Sequence, residues 1–200
     1  MDHEKVIEKN ISLVSSLLDS VVKSERKDQI KKMLESDFGT LYFSAPASSR
    51  EEYHYCWPGG LVSHSLNVYK NLRKLNTAFD LGFSEESMFI VTMFHDIGKA
   101  SDTNLDEPHY VKTSEDWRLR KGWLYEYSTK GVYMPNHLRS VFILGQFQIQ
   151  LSAEEYMAIF LNDNQYLDSN KEYRLKECSL SLYTHMADRI ALEQERKDKK

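Results

Sequence analysis

Cysteine is nearly absent from this chain: Cys56 and Cys178 are the only two in 200 residues. That scarcity excludes a disulfide framework and a cysteine-rich zinc site, and it points to free thiols in a reducing cytosol. No apolar run reaches membrane-spanning length, and the start, Met1-Asp2-His3-Glu4-Lys5, is too polar for a secretory signal. The expectation is a cytoplasmic protein with no membrane partner. A basic surplus is missing as well. Lysine and arginine number 26 against 30 acidic residues, a formal net charge of −4, which argues against long nucleic acid as a partner but allows a local basic pocket for a small anion. A hydrophobic content of 41% over this length suits one compact domain with a full core.

The pattern along the chain is nearly all helical, punctuated by glycine, proline and asparagine. Val6, Ile7, Ile11, Val14, Leu17, Leu18, Val21 and Val22 recur near helical spacing, and Ile30, Met33 and Leu34 continue it after a charged break. These two stretches read as a packing hairpin whose apolar stripes serve either the monomer's own core or a homodimer. Residues 39–60, with Pro46, Pro58, Gly59 and many serines and aromatics, are expected to form an ordered loop and not a helix. Beyond it, Leu61, His64, Val68, Leu72 and Leu75 share one helical face, so His64 points inward. Ser84, followed by Glu85 and Glu86, supplies an N-cap and an acidic first turn to a helix that reaches Phe94 and His95.

Phe94-His95-Asp96-Ile97-Gly98-Lys99 places an imidazole and a carboxylate side by side at the end of that apolar helix. A buried carboxylate is costly unless it is paired or bound to a cation. His64 offers a third ligand. Asp188, on a face with Cys178, Ser181, His185 and Leu192, offers a fourth. Two imidazoles and two carboxylates suit a first-row divalent metal and leave positions for water and a phosphate. Lys99 and Arg139 are candidate phosphate contacts, each with a salt bridge as its ordinary alternative. Asp102, Asp106, Glu107 and His109 could move protons, and spacing alone does not choose among them. Residues 116–128 alternate aromatic and polar side chains around Gly122, which predicts a short hairpin or irregular flap. There Trp117 and Trp123 either stack a base or cover the core edge. The last residues, from Glu193 onward, read as a solvated helix end or frayed tail.

The order His64, His95-Asp96, Asp188, with Gly59-Gly60-Leu61 before the first and Ile97-Gly98-Lys99 after the second, resembles the HD superfamily of metal-dependent phosphohydrolases. The closer likeness is to short, stand-alone HD proteins of bacteria and their phages, in which a segment like Ala45-Pro46-Ala47-Ser48 precedes an aromatic-rich turn where His54 and Tyr55 sit here. The resemblance implies an all-α, HD-domain-like helical bundle with a short hairpin or irregular flap between the His-Asp motif and the later helices. It divides the chain into an N-terminal helical hairpin (1–36) packing on the core, an HD-type metal-binding domain (37–195) and a tail (196–200).

The resemblance also implies a function: hydrolysis of a phosphoester or phosphoanhydride of a nucleotide or related small phosphate. Its metal would be held by His64, His95, Asp96 and Asp188. Asp96 and Lys99 would be catalytic, and Arg139, His137, Trp117, Trp123 and His54 would bind substrate. Similar proteins carry two further histidines that help hold a second ion, where this chain reads Asn136 and the run Asn162-Asp163-Asn164. A neutral amide is a poor transition-metal ligand, so one divalent ion (Mn, Fe, Ni, Zn or Mg) is expected, with His137 or Asp163 as the replacements if a second is held. The alternative is a weak or inactive HD protein that binds a nucleotide or a protein partner.

Overall fold

The computed structural model describes residues 2–162 and 167–197. The chain is an all-α bundle whose only sheet, among the described residues, is one two-stranded hairpin. Helix α1 (His3–Val21) starts where the Asp2 side chain accepts from the Lys5 amide, and it buries Asn10, Val14 and Leu18 at four-residue spacing. Asn10 donates to the Gly59 carbonyl and to Ser63 Oγ, fastening α1 to the start of α4 (Gly60–Phe79). Helix α2 (Arg26–Glu35) buries Ile30 and Met33. Both N-terminal helices join one hydrophobic cluster with the later ones, as Val14, Leu18, Ile30 and Met33 pack in a core shared with Phe89, Ile143 and Ala187.

The loop expected over residues 39–60 is partly helical. Helix α3 (Asp37–Ser44) buries Phe38, Tyr42 and Phe43, and the Tyr42 hydroxyl donates to the Met93 carbonyl at 2.8 Å. Gly39 permits this instead of preventing it: a Cβ there would lie 1.9 Å from the Leu34 carbonyl oxygen, so only glycine lets α3 turn this tightly off α2. The irregular stretch begins at Ala45-Pro46 and ends at Gly59, whose φ of +86° suits glycine.

Helix α5 (Glu85–Phe94) opens at Ser84, whose side chain accepts from the Ser87 amide, and every residue from Met88 to Phe94 is buried. A 3-10 turn follows at Ile97–Lys99. Strands β1 (Tyr110–Lys112) and β2 (Tyr125–Tyr127) pair antiparallel, with Tyr110 opposite Tyr127. The flap is thus a hairpin, though only its second strand lies within the predicted stretch and the first precedes it, and a single-turn helix, α6 (Asp116–Leu119), sits in the connection. Helices α7 (Asn136–Gln146), α8 (Ala153–Leu161) and α9 (Ser179–Lys197) complete the bundle, with α4 lying against both α5 and α9. No helix among the described residues is long and apolar enough to cross a membrane.

Arg26 fastens α2 to α5 and α8, reaching Glu86 and Glu155 at 2.6 Å each. Burial presses the Glu86 carboxyl upward, but hydrogen bonds from Ser24, the Lys23 amide and Arg26 bring it down to about 2 from an ordinary 4.5. A depressed carboxyl contributes stability that is present above its unfolded value and lost as pH falls through its folded one. Glu86→Gln should therefore cost about 1 kcal/mol of stability at pH 7 after solvent screening, read from urea unfolding. The gap from the parent should close between pH 4.5 and pH 2, and a gap constant across that window would contradict the pairing.

Candidate metal centre

Three helices and one turn converge on a buried cluster. His64 comes from the first turns of α4, on the inward face it shares with Leu61, Val68 and Leu72. His95 caps α5, Asp96 begins the 3-10 turn, and Asp188 lies mid-way along α9. All four are at most 4% exposed, so charge here is shielded from water and must be matched locally. His64 Nε2 lies 3.0 Å from Asp188 Oδ1, and His95 Nε2 lies 3.5 Å from Asp96 Oδ2. The two imidazole centroids are 5.5 Å apart. Donor atoms of His64, His95 and Asp96 all lie within 4.8 Å of one another, a spacing that can hold a metal ion.

Hydrogen bonds behind the cluster fix which ring nitrogen faces it. His95 Nδ1 sits 2.8 Å from the Thr92 carbonyl, which only accepts, so Nδ1 carries a hydrogen and Nε2 is the nitrogen left to face the cluster and to offer a lone pair once it is deprotonated. That Nε2 is buried and has no hydrogen-bond partner. A buried ring nitrogen without a hydrogen-bond partner beside two carboxylates is what a cation would satisfy, in place of the proton. His64 Nδ1 is held by both oxygens of Glu195, each at 3.1 Å, and Glu195 is fully buried. This corrects the reading of the C-terminal stretch as a solvated end. Helix α9 runs through Glu195 and turns it inward, seven residues after Asp188 on nearly the same face.

Without a cation, the protonated His64 ring bridges two carboxylates. Burial opposes its charge, but the bonds to Asp188 and Glu195 raise it to about 10. Asp188 is pressed upward by burial and drawn down by His64 to about 2. Burial likewise works against the Asp96 carboxylate, yet Lys99 and His95 hold it well below its usual range. The Lys99 ammonium reaches Asp96 Oδ2 at 2.6 Å.

His54, from the aromatic turn, packs against the His64 ring at 4.7 Å with the rings tilted by 52°, and its buried Nε2 has no hydrogen-bond partner. Burial, then the neighbouring His64 and Lys99, lowers His54 to about 2, so it stays neutral. It forms a second possible ligand group with His64 and Glu195. The two asparagines both turn amide hydrogens toward the carboxylates: Asn136 Nδ2 donates to Asp96 Oδ1 at 2.7 Å and Asn162 Nδ2 to Asp188 Oδ2 at 3.4 Å. His185 supports this side by donating to the Asn162 carbonyl at 2.6 Å. Asp163 lies outside the described residues.

A cavity of about 620 Å³ opens beside the cluster, reached through Lys99 and Asn136 and walled by Arg139, His137, His109 and Asp102. Arg139 is not the surface salt bridge that its sequence position allowed. It is buried, donates to the carbonyls of Gly98 and Met134, and has no carboxylate partner among the described residues. His137 packs edge-on against Phe160 at the wall. Asp102 accepts from Asn104 and Ser128, which commits it to holding loops. Asp106 and Glu107 do not line the cavity.

Neither tryptophan lines it either. Trp117 is half exposed on α6 beside Arg118 and Lys121, and Trp123 lies under the Arg50 guanidinium in an isolated bridge. Trp123 thus covers an edge, and the aromatic rings that do face the cavity belong to Tyr110, Tyr127 and Tyr133. No family model, curated protein or solved structure matches the chain. The site's meaning therefore rests on its own chemistry.

Proposed function

We propose that the chain is a metal-dependent phosphohydrolase of the HD type, hydrolysing a phosphoester or phosphoanhydride of a nucleotide or related small phosphate. The observation that carries this reading is the buried gathering of His64, His95 and Asp96 donor atoms within 4.8 Å of one another, with Asp188, 124 positions beyond His64, against the His64 ring and with His95 Nε2 unpartnered. His64, His95, Asp96 and Asp188 would hold one divalent ion. When bound there, such an ion supplies Lewis acidity, making a water a better nucleophile at neutral pH and drawing charge from a phosphoryl oxygen.

The chain's own groups divide the remaining work. Asp96 carries an oxygen bonded by Asn136 and another bonded by Lys99, so its orientation is fixed before substrate enters. Lys99 stands between the cluster and the cavity and can turn its charge toward a phosphate. Thr92 and Glu195 hold the two imidazoles in the tautomers that ligation needs. Both candidate second-ion positions hold asparagine nitrogens bonded to carboxylates, which favours a single ion.

The test is elemental analysis of the purified chain followed by phosphate release from nucleoside mono-, di- and triphosphates and cyclic nucleotides. About one metal per chain and chelator-sensitive release are expected. Retained metal with no release from any of them would instead favour a nucleotide- or protein-binding role. Two adjacent ions at full occupancy in anomalous maps would overturn the one-ion assignment.

A further inference from the structure

The cavity beside the cluster has an unusual charge inventory. Among the described residues that line it, the only cations are Lys99 and Arg139, and Lys99 is already bound to Asp96. Arg139 is 5% exposed, with Nε and Nη1 spent on backbone carbonyls and no described partner on Nη2. A buried guanidinium without a carboxylate lacks its usual compensation, and an anion entering the cavity would provide it. Arg139, one metal and a Lys99 shared between Asp96 and the same phosphate match one phosphate group. Every further phosphate would bring charge that no lining cation meets.

The same lining is rich in aromatic rings. Tyr127 is about half exposed and stacks on His109 at 5.1 Å and 26°, and Tyr133 stands 89% exposed at the rim. His109 is itself buried, with Nδ1 unbonded. Flat, exposed rings that line the same cavity as a cation accept a planar heterocycle joined to a phosphate. The volume, about 620 Å³, lies inside the roughly 300–1,000 Å³ typical of small-ligand sites.

We infer that the substrate is a phosphomonoester of nucleoside monophosphate size, its phosphate on Arg139 and its base on Tyr127, and not a di- or triphosphate. The inference rests on the hydrolase reading and sharpens it. The reaction adds water across the P–O ester bond, releasing inorganic phosphate and leaving the proton on the nucleoside hydroxyl.

The experiment measures kcat/KM of the metal-loaded chain for AMP, ADP, ATP, cyclic AMP and ribose 5-phosphate. AMP should exceed ATP and cyclic AMP by about tenfold or more, and Tyr127→Ala should raise KM for AMP but not for ribose 5-phosphate. Arg139→Gln should raise KM for both monoesters by roughly tenfold or more. Its thermal unfolding is compared with that of the parent, because the same side chain holds two carbonyls. A preference for ATP or cyclic AMP overturns the inference while leaving the hydrolase reading intact. So does a Trp117→Ala effect larger than that of Tyr127→Ala. If nothing is hydrolysed the hydrolase reading fails, and calorimetric titration with AMP decides the site: binding displaced by inorganic phosphate and weakened in Tyr127→Ala supports it, and no binding overturns it.

Discussion

Asp96→Ala is expected to leave a chain that folds, holds almost no metal and has lost at least about a thousandfold in phosphate release, roughly 4 kcal/mol of barrier. The size follows from how many partners one carboxylate serves. Asp96 takes Lys99 on one oxygen and Asn136 on the other, and it faces the unmatched His95 Nε2. Removing it takes away a ligand and also strips Lys99 of its counter-charge, which costs about 3 kcal/mol in stability when one member of a buried pair is lost. Circular dichroism melts of metal-free parent and variant measure that loss, and elemental analysis measures the ligand role. Glu195→Gln provides the graded comparison, since it reaches the site only through His64, its other hydrogen bond coming from Asn67, and should weaken metal affinity by roughly 10- to 100-fold. If Asp96→Ala keeps its metal, the four-residue assignment is wrong.

Gly98→Ala should be nearly as damaging, although a single methyl group is added. A Cβ at that position would lie 2.5 Å from the Asn136 carbonyl oxygen, 2.7 Å from Asn136 Oδ1 and 3.0 Å from the Ser140 amide. Two of those atoms are backbone and cannot swing aside, so α7 must move. With it would go the Asn136 contact to Asp96 and the Ser140 hydroxyl, which accepts from the Gly98 amide and donates to the His95 carbonyl. A loss of about 3 kcal/mol, the upper end for overpacking, and weaker metal retention are expected. Gly145→Ala is the matched control. It lies in the same helix with nothing within 4 Å, and should stabilise by up to about 1 kcal/mol. Equal denaturant midpoints for the two variants would remove the packing argument.

How far the sequence could be read depended on the range of each signal. The inward faces of His64 and His95 were legible because helical periodicity is local, and Ser84 was legible because a cap is read from its own neighbours. Helix α3 was hidden because proline, glycine and serine further along residues 39–60 outweighed Phe38, Tyr42 and Phe43. The close approach that makes Gly39 necessary depends on Leu34 in space and not on local composition. Glu195 was hidden by its charged surroundings, Glu193-Gln194 and Arg196-Lys197, although its seven-residue spacing from Asp188 was available as a signal. Trp117 and Trp123 drew attention as rings near cations, but the hairpin register turns Tyr127 toward the cavity instead. Pairing across strands decides that, and a run of alternating residues does not contain it.

The bond between His64 and Glu195 spans 131 positions of the chain. During synthesis or refolding, α4 and α5 can gather His64, His95 and Asp96 early, but tight capture of the ion must wait for α9 to dock. Ion uptake is then a late event that locks an already collapsed bundle, and a chelator present during refolding would trap a compact chain whose last helix exchanges its amide hydrogens freely.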